Sequence, residues 1–317
     1  MLRILLPLLM LAQIYALPVR ADQFIADQYP NSVLYAKPIE VIPGVWSAIG
    51  ATAPPDYDNA GHNNNLSFII TGDGVVVFNS GASYLLAKAL HDEIRNITDQ
   101  PVALVVNENG QGHAMLGNGY WVGQGVPVLA HEAAAEAFED DGYGSLARLK
   151  DYAKEQSLGT TVQAPTEVMA DTRVIEMGDF RIEVRWLGIA HSPGDLVIWL
   201  PEQRLVIAGD MAFHERLLPI FEDTQTIEWL QSWQRFEDLE ALYVIPGHGH
   251  PTNMAQVRRY TRDYLLFVRG KVQELLDEGE DLQAAYEIDQ SAYAHLHTFD
   301  ELAKKNAGRI FEQMEFE

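Results

Sequence analysis

The chain has 317 residues, enough for one large domain or two small ones, and its 47% hydrophobic and 21% charged residues are an ordinary globular mixture. A formal net charge of −23 argues against nucleic-acid binding and against adhesion to anionic lipid, while naming no substrate. With no cysteine, disulfides, thiolate ligands and a cysteine nucleophile are excluded, so any metal site must use His, Asp, Glu and neutral oxygen donors.

The N-terminus has Arg3, an apolar stretch from Ile4 to Leu17, then Val19-Arg20-Ala21. A basic start, an apolar segment too short to span a bilayer comfortably and small residues before a cut at Ala21 predict a signal peptide over 1–21. The alternative is an uncleaved anchor helix. The signal reading implies export to the periplasm or beyond, no stable membrane association after cleavage, and a mature domain over 22–317.

Ile39–Ile49 reads as a strand-like run around Pro43-Gly44. The segment NLSFIITGDGVVVFNSG, residues 65–81, is two β-branched runs about Asp73-Gly74, a hairpin pattern. Apolar residues at Leu86, Leu90, Ile94 and Ile97 have helical spacing. Val102–Val106 is a short strand, followed by the polar, glycine-rich loop NENGQGHAMLGNG. Val126–Ala130 is another strand, and His131–Phe138 begins an alanine-rich helix. In the second half, strands are predicted at 174–177, 180–186, 196–200, 205–208 and 242–245, with a helix at 226–239. A long amphipathic helix then carries Val257, Tyr260, Tyr264, Val268, Val272 and Leu275 on one face, and the tail reads as helical. Two hairpin-rich halves of this kind predict an α/β fold of two sheets packed face to face with helices outside.

Three polar residues stand at strand ends beside glycine: His191 in GIAHSPGD, Asp210 in LVIAGDMAF and His248 in VIPGHGHP. Singly, each is a plausible loop or turn residue. Together they suit a hydrolytic zinc site, which needs three or four His or carboxylate ligands and an open position.

These motifs, with the early hairpin, resemble the metallo-β-lactamase superfamily over residues 39 to about 272. The run GDLVIWLPEQRLVIAGDMAFHERLLPI also resembles, more weakly, the exported quinoprotein-associated zinc metallohydrolase branch. The resemblance implies the four-layer αβ/βα sandwich with its site along one edge, plus a helical C-terminal extension. His191 matches the family's single-histidine motif, Asp210 the aspartate that bridges two metals, and His248 the last metal histidine. The family's first motif, His-x-His-x-Asp-His, falls on Asn109, Gln111, His113 and Ala114. All four positions differ. A one-residue gap would instead put His113 on the final histidine and Gly112 on the aspartate.

The resemblance then implies one zinc ion rather than two, held by His113, Asp210 and His248, with His191 joining if the ion sits between the two usual positions. His113 or Asp210 would serve as catalytic base, and a histidine cannot easily be both ligand and base. Asn109, Gln111 and His214 are candidates to hold substrate or a water. His62, Asp195, His131, His250, His295 and His297 read as loop, turn, capping or surface residues, and Trp121, Trp186 and Trp199 as core. The expected function is hydrolysis of an ester, amide, thioester or similar bond in a small molecule. The competing expectation is a non-catalytic binding or accessory protein that has lost its metal. A sulfur-handling role lacks the cysteine it would need. Oligomeric state is not written in the sequence.

Overall fold

The computed structural model describes residues 33–317. The predicted signal peptide lies outside these residues. Twelve strands and nine α-helices follow one another among the described residues. The strands are β1 (Ile39–Ile42), β2 (Val45–Ala48), β3 (Leu66–Ile70), β4 (Val75–Phe78), β5 (Val102–Val106), β6 (Val128–His131), β7 (Glu167–Met169), β8 (Thr172–Met177), β9 (Phe180–Trp186), β10 (Leu196–Leu200), β11 (Leu205–Phe213) and β12 (Tyr243–His248). The helices are α1 (Tyr84–Ile97), α2 (Gly112–Met115), α3 (Asn118–Gly123), α4 (Glu132–Ala153), α5 (Thr226–Glu237), α6 (Met254–Tyr260), α7 (Arg262–Glu278), α8 (Leu282–Ala285) and α9 (Phe299–Met314).

The strands form a seven-stranded sheet in sequence order β1 to β7 and a five-stranded sheet in the order β12-β11-β10-β9-β8. The first is antiparallel from β1 to β4 and parallel from β4 to β7. In the second, only the β11–β12 pair is parallel. Strand β4 shows why the sheets stack. All four of its residues are buried, and alternate side chains point to opposite faces. Val76 and Phe78 join Ile182, Val184, Ile198 and Ile207 between the sheets, while Val75 and Val77 pack outward with α1 residues Leu86 and Leu90. The outer face of the second sheet is covered by α5, α7 and α9 through Trp229, Trp233, Tyr264, Val268 and Phe311. Each such aliphatic burial contributes roughly 1.5–3 kcal/mol. The result is the expected αβ/βα sandwich.

Several boundaries differ from the sequence reading. The run 39–49 is two strands, turned at Gly44 with φ +82°. Strand β7 was not predicted, being short and half exposed. Strand β11 runs on through Asp210 to Phe213, with register shifts on either side of Gly209. The long helix is two, α6 and α7, broken at Thr261. That buried residue spends its hydroxyl on the Phe213 amide (2.9 Å) and so ties the helix break to the end of β11. Trp121 and Trp199 are buried, and Trp186 is half-buried and stacked on His131. His131 caps α4 by accepting from the Ala133 amide (3.1 Å). No helix among the described residues is long and apolar enough to cross a membrane.

Candidate metal centre

Strands β5, β9, β11 and β12 end at one edge of the sandwich, where ligand sites of layered α/β folds lie. A cavity of about 630 Å³ opens there, lined by Gln111, His113, His191, Asp210, Arg216 and His248 among others. The loop after β5 is pinned from below. Asn107 donates to the Ala114 carbonyl (2.7 Å), and the Glu108 amide donates to Asn79 (2.9 Å).

Asp210 is the centre of the arrangement. His248 Nε2 lies 3.2 Å from its Oδ1, while His191 Nδ1 and His113 Nε2 lie 3.5 and 3.6 Å from its Oδ2. Asn109 Nδ2 donates to the same Oδ2 (3.3 Å) and to Asp195 (3.2 Å). Gln111 Nε2 contacts His191 Nδ1 at 3.1 Å. His113, His191, Asp210, His248, Asn109 and Gln111 are thus brought together. His214 is not. Its ring stacks on Tyr260 and bonds the His250 carbonyl, away from the cavity wall. His62 is buried behind the site and accepts from the Tyr35 amide. Asp195 accepts from the Ser192 amide and so braces the His191 loop. His250 sits on the surface with Glu215.

The residue that sequence reasoning missed is Glu108. It is fully buried, with Oε1 on His113 Nε2 (2.9 Å) and Oε2 accepting from the Asp210 amide (3.0 Å). Its signal was a lone carboxylate closing an apolar strand in VVNEN. Two glycines make room for the carboxylates. A Cβ on Gly209, whose φ is +54°, would lie 2.0 Å from Glu108 Oε2, and one on Gly247 would lie 2.5 Å from Asp210 Oδ1.

The charges follow from this packing. Burial pushes Glu108 above the usual carboxylate range, and neighbouring Asp210 adds to the effect. Burial acts on His113 to lower it, but the Glu108 bond and the Asp210 charge prevail and raise it. Burial would also raise Asp210, yet the imidazoles of His248, His113 and His191 hold it well below the carboxylate range. Burial, then the nearby Arg216, push His248 down to about 4. Their surroundings thus push the two imidazoles in opposite directions, His113 up and His248 down. Burial lowers His191 as well, and it lifts Asp195 well above the carboxylate range.

His248 Nδ1 lies 2.5 Å from the Asn63 carbonyl, so that nitrogen carries the ring proton and donates it. The neutral ring then turns the Nε2 lone pair toward Asp210 Oδ1, which has no hydrogen-bond partner among the described residues. Two buried Lewis bases facing each other suit a cation between them. Ligand atoms of Glu108, His113 and Asp210 also lie within 4.8 Å of one another. A nitrogen and oxygen donor set of this kind fits zinc.

Fold and cavity define the class first: a two-sheet sandwich with a histidine–carboxylate site at the strand ends. The model of the metallo-beta-lactamase superfamily matches residues 115–248, starting just past the altered 109–114 segment. A curated relative, the type 2 metallo-beta-lactamase of Bacteroides fragilis, is 22% identical over 193 residues, covering 57% of this chain and 70% of that protein. Among solved structures, a metallo-beta-lactamase from Pontibacter korlensis superposes with a TM-score of 0.58 at 19% identity, covering 73% of this chain and 98% of that one. The inverting sec-alkylsulfatase Pisa1 from Pseudomonas sp. gives 0.65 at 16% identity, covering 88% of this chain and 50% of that one. Over residues 115–248 the chain matches the metallo-β-lactamase superfamily, and its fold is the one these structures share.

Proposed function

We propose that the protein is an exported hydrolase of small molecules that works with a single zinc ion at Asp210. The observation that carries this reading is the pair formed by the His248 Nε2 lone pair and Asp210 Oδ1, buried and facing each other. Asp210, His248 and His113 would hold the ion, and Glu108 is a further candidate ligand beside His113. When bound, zinc supplies a Lewis acid and brings the ionisation of water near neutral pH. Glu108 fixes the His113 ring, and Asp195 and Asn109 fix the loop and carboxylate around it. The bond cleaved is an ester, amide, thioester or a related one. Two structural neighbours that are by name a β-lactamase and an alkylsulfatase support hydrolysis as the reaction type. Export rests on the signal pattern of residues 1–21, and N-terminal sequencing of the purified protein should begin at Asp22.

Metal analysis of the purified mature protein tests the zinc reading. About one zinc per chain is expected, lost in Asp210→Ala and reduced in His113→Ala. A wild type that is metal-free and stays empty on zinc addition would sink it. A second reading has its own observation. The amides of Asn109 and Gln111 already contact Asp210 Oδ2 and His191 Nδ1, occupying one atom of each without metal. A zinc-free protein with unchanged stability in Asp210→Asn would favour that binding-protein reading.

A further inference from the structure

His62 has no exposed surface, and it belongs neither to the cavity wall nor to the histidine cluster around Asp210. The loop before it turns through two left-handed residues, Ala60 at φ +53° and Gly61 at φ +77°. The ring is thereby delivered between strand β2 and the first described residues of the chain. There its two nitrogens have opposite duties. Nδ1 accepts from the Tyr35 amide (2.9 Å), so Nε2 carries the proton and donates to the Ala48 carbonyl (3.3 Å). Residues 33–38 form a strap held to the sandwich by this ring and by Val33 and Leu34, which pack on the layer containing Leu66 and Phe68. Tyr35 contributes its amide and not its ring, which is 59% exposed.

The same histidine heads the segment that positions His248. Asn63 lines the cavity, and its carbonyl accepts from His248 Nδ1. Asn65 donates to the carbonyls of Pro246 (2.8 Å) and Gly249 (2.7 Å) and accepts from the Gly50 amide (3.2 Å). The Ala51 amide donates to the His62 carbonyl (2.9 Å). The approach is close: a Cβ on Gly50 would lie 2.4 Å from the Asn64 carbonyl oxygen. Residues 62–65 therefore join the strap, β2 and the end of β12 with little slack.

An imidazolium has two N–H donors and no acceptor. A second proton on His62 would point at the Tyr35 N–H, so ring and strap could not both stay in place. No compensating charge is at hand. The titratable groups of the neighbouring segments are Tyr35 and Lys37 in the strap, Asp56, Tyr57 and Asp58 in the loop before it, and Tyr152 of α4 beside Gly61. None of them acts on the ring. Burial lowers it to about 4, and the Ala48 carbonyl alone works the other way.

We propose that residues 33–38 are an acid-released strap: protonation of His62 expels the Tyr35 amide, and the departing strap loosens residues 62–65, which hold His248 at the cavity. The device consists of protein contacts alone and does not depend on the zinc reading. With the strap closed His62 sits at about 4, and once released the ring returns to about 6.5. Closure is therefore fully favoured above pH 6.5 and weakens as pH falls toward 4. Relative to pH 7.5, the opening equilibrium should rise roughly fourfold at pH 6 and about thirtyfold at pH 5.

Hydrogen exchange of the full mature protein tests it, read by mass spectrometry over residues 33–42 and 60–68 and corrected for the intrinsic pH dependence of exchange. The strap is expected to lose protection by these factors and residues 60–68 to follow in the same direction, while strands β9 and β10 stay protected. His62→Asn, whose amide oxygen can stand where Nδ1 was and does not titrate, should abolish the pH dependence of both segments. Nitrogen-15 NMR of the wild-type ring at pH 7.5 needs no variant and should find Nδ1 unprotonated. A strap whose protection is independent of pH, a His62→Asn protein that keeps the wild-type dependence, or a ring protonated on Nδ1 at pH 7.5 overturns the proposal. Strap release with residues 60–68 unmoved overturns its coupling to the cavity.

Discussion

Gly209→Ala is the substitution that tests most directly how the site is packed. Gly209 has φ +54°, a conformation that costs a side-chain-bearing residue about 1–2 kcal/mol. The new methyl would lie 2.0 Å from Glu108 Oε2 and 3.0 Å from Glu108 Cβ and Cδ. Glu108 cannot swing away, because it is fully buried and held by His113 and the Asp210 amide. Overpacking of this kind adds roughly 1–3 kcal/mol. The sum is about 2–5 kcal/mol, or a fall in Tm on the order of 5–15 °C for a chain of this size. The decisive assay is a double-mutant cycle by urea unfolding. In the Glu108→Ala background the 2.0 Å contact is gone and only the 3.0 Å approach to Cβ remains, so Gly209→Ala should cost little beyond the backbone share. A coupling of at least about 1 kcal/mol is expected. Additivity within about 0.5 kcal/mol would refute the claim that Gly209 exists to seat the Glu108 carboxylate.

Three further outcomes are expected. Replacing both Asn109 and Gln111 with histidine should raise the zinc bound per chain above the wild-type value, since these amides hold Asp210 and His191; unchanged metal content would show that the amides are not what limits it. His62→Gln should flatten the acid side of the stability profile. His62 is pushed by burial to about 4 in the folded state, against about 6.5 unfolded, so its contribution is present above pH 6.5 and lost as pH falls toward 4. The shift is worth on the order of 3 kcal/mol, and urea unfolding at pH 7.5, 6 and 5 should show the wild type losing more than the variant; parallel losses would refute it. Asn306→Ala removes bonds to Leu218 (2.7 Å), Ile220 (2.9 Å) and Tyr264 (3.0 Å) from a fully buried residue. It should cost about 2–4 kcal/mol by urea unfolding, and an unchanged midpoint would refute it.

The layered fold was legible because β3, β4, β9 and β10 carry their pattern locally, in β-branched runs broken at Asp73-Gly74 and Gly178-Asp179. The helix break at Thr261 was not, since its cause is a hydroxyl turned to the Phe213 amide 48 residues away. The place of Asp210 within β11 was equally hidden. Strand periodicity gives no sign of a register shift at Gly209, or of the Glu108 carboxylate packed against that glycine. Of the site, His191, Asp210 and His248 stood out because glycines flank them in recognisable segments. Glu108 and Arg216 did not. Each is a charged residue in a short apolar context, and only its burial makes it notable.

The long-range contacts about the cavity also bear on how the molecule is made. His248 meets Asn63 across 185 residues, and the bridge from Arg216 to His297 ties the end of β11 to the tail. Contacts between such distant positions form late, after the entropy of closing long loops has been met. The first sheet has its strands once residue 169 exists, whereas the cavity lining is complete only at His248 and the strand end that carries Arg216 meets its tail partner only at His297. Truncation just before His297 should therefore leave a chain with its sandwich and every cavity-lining residue, but with the backbone at Arg216 unclamped.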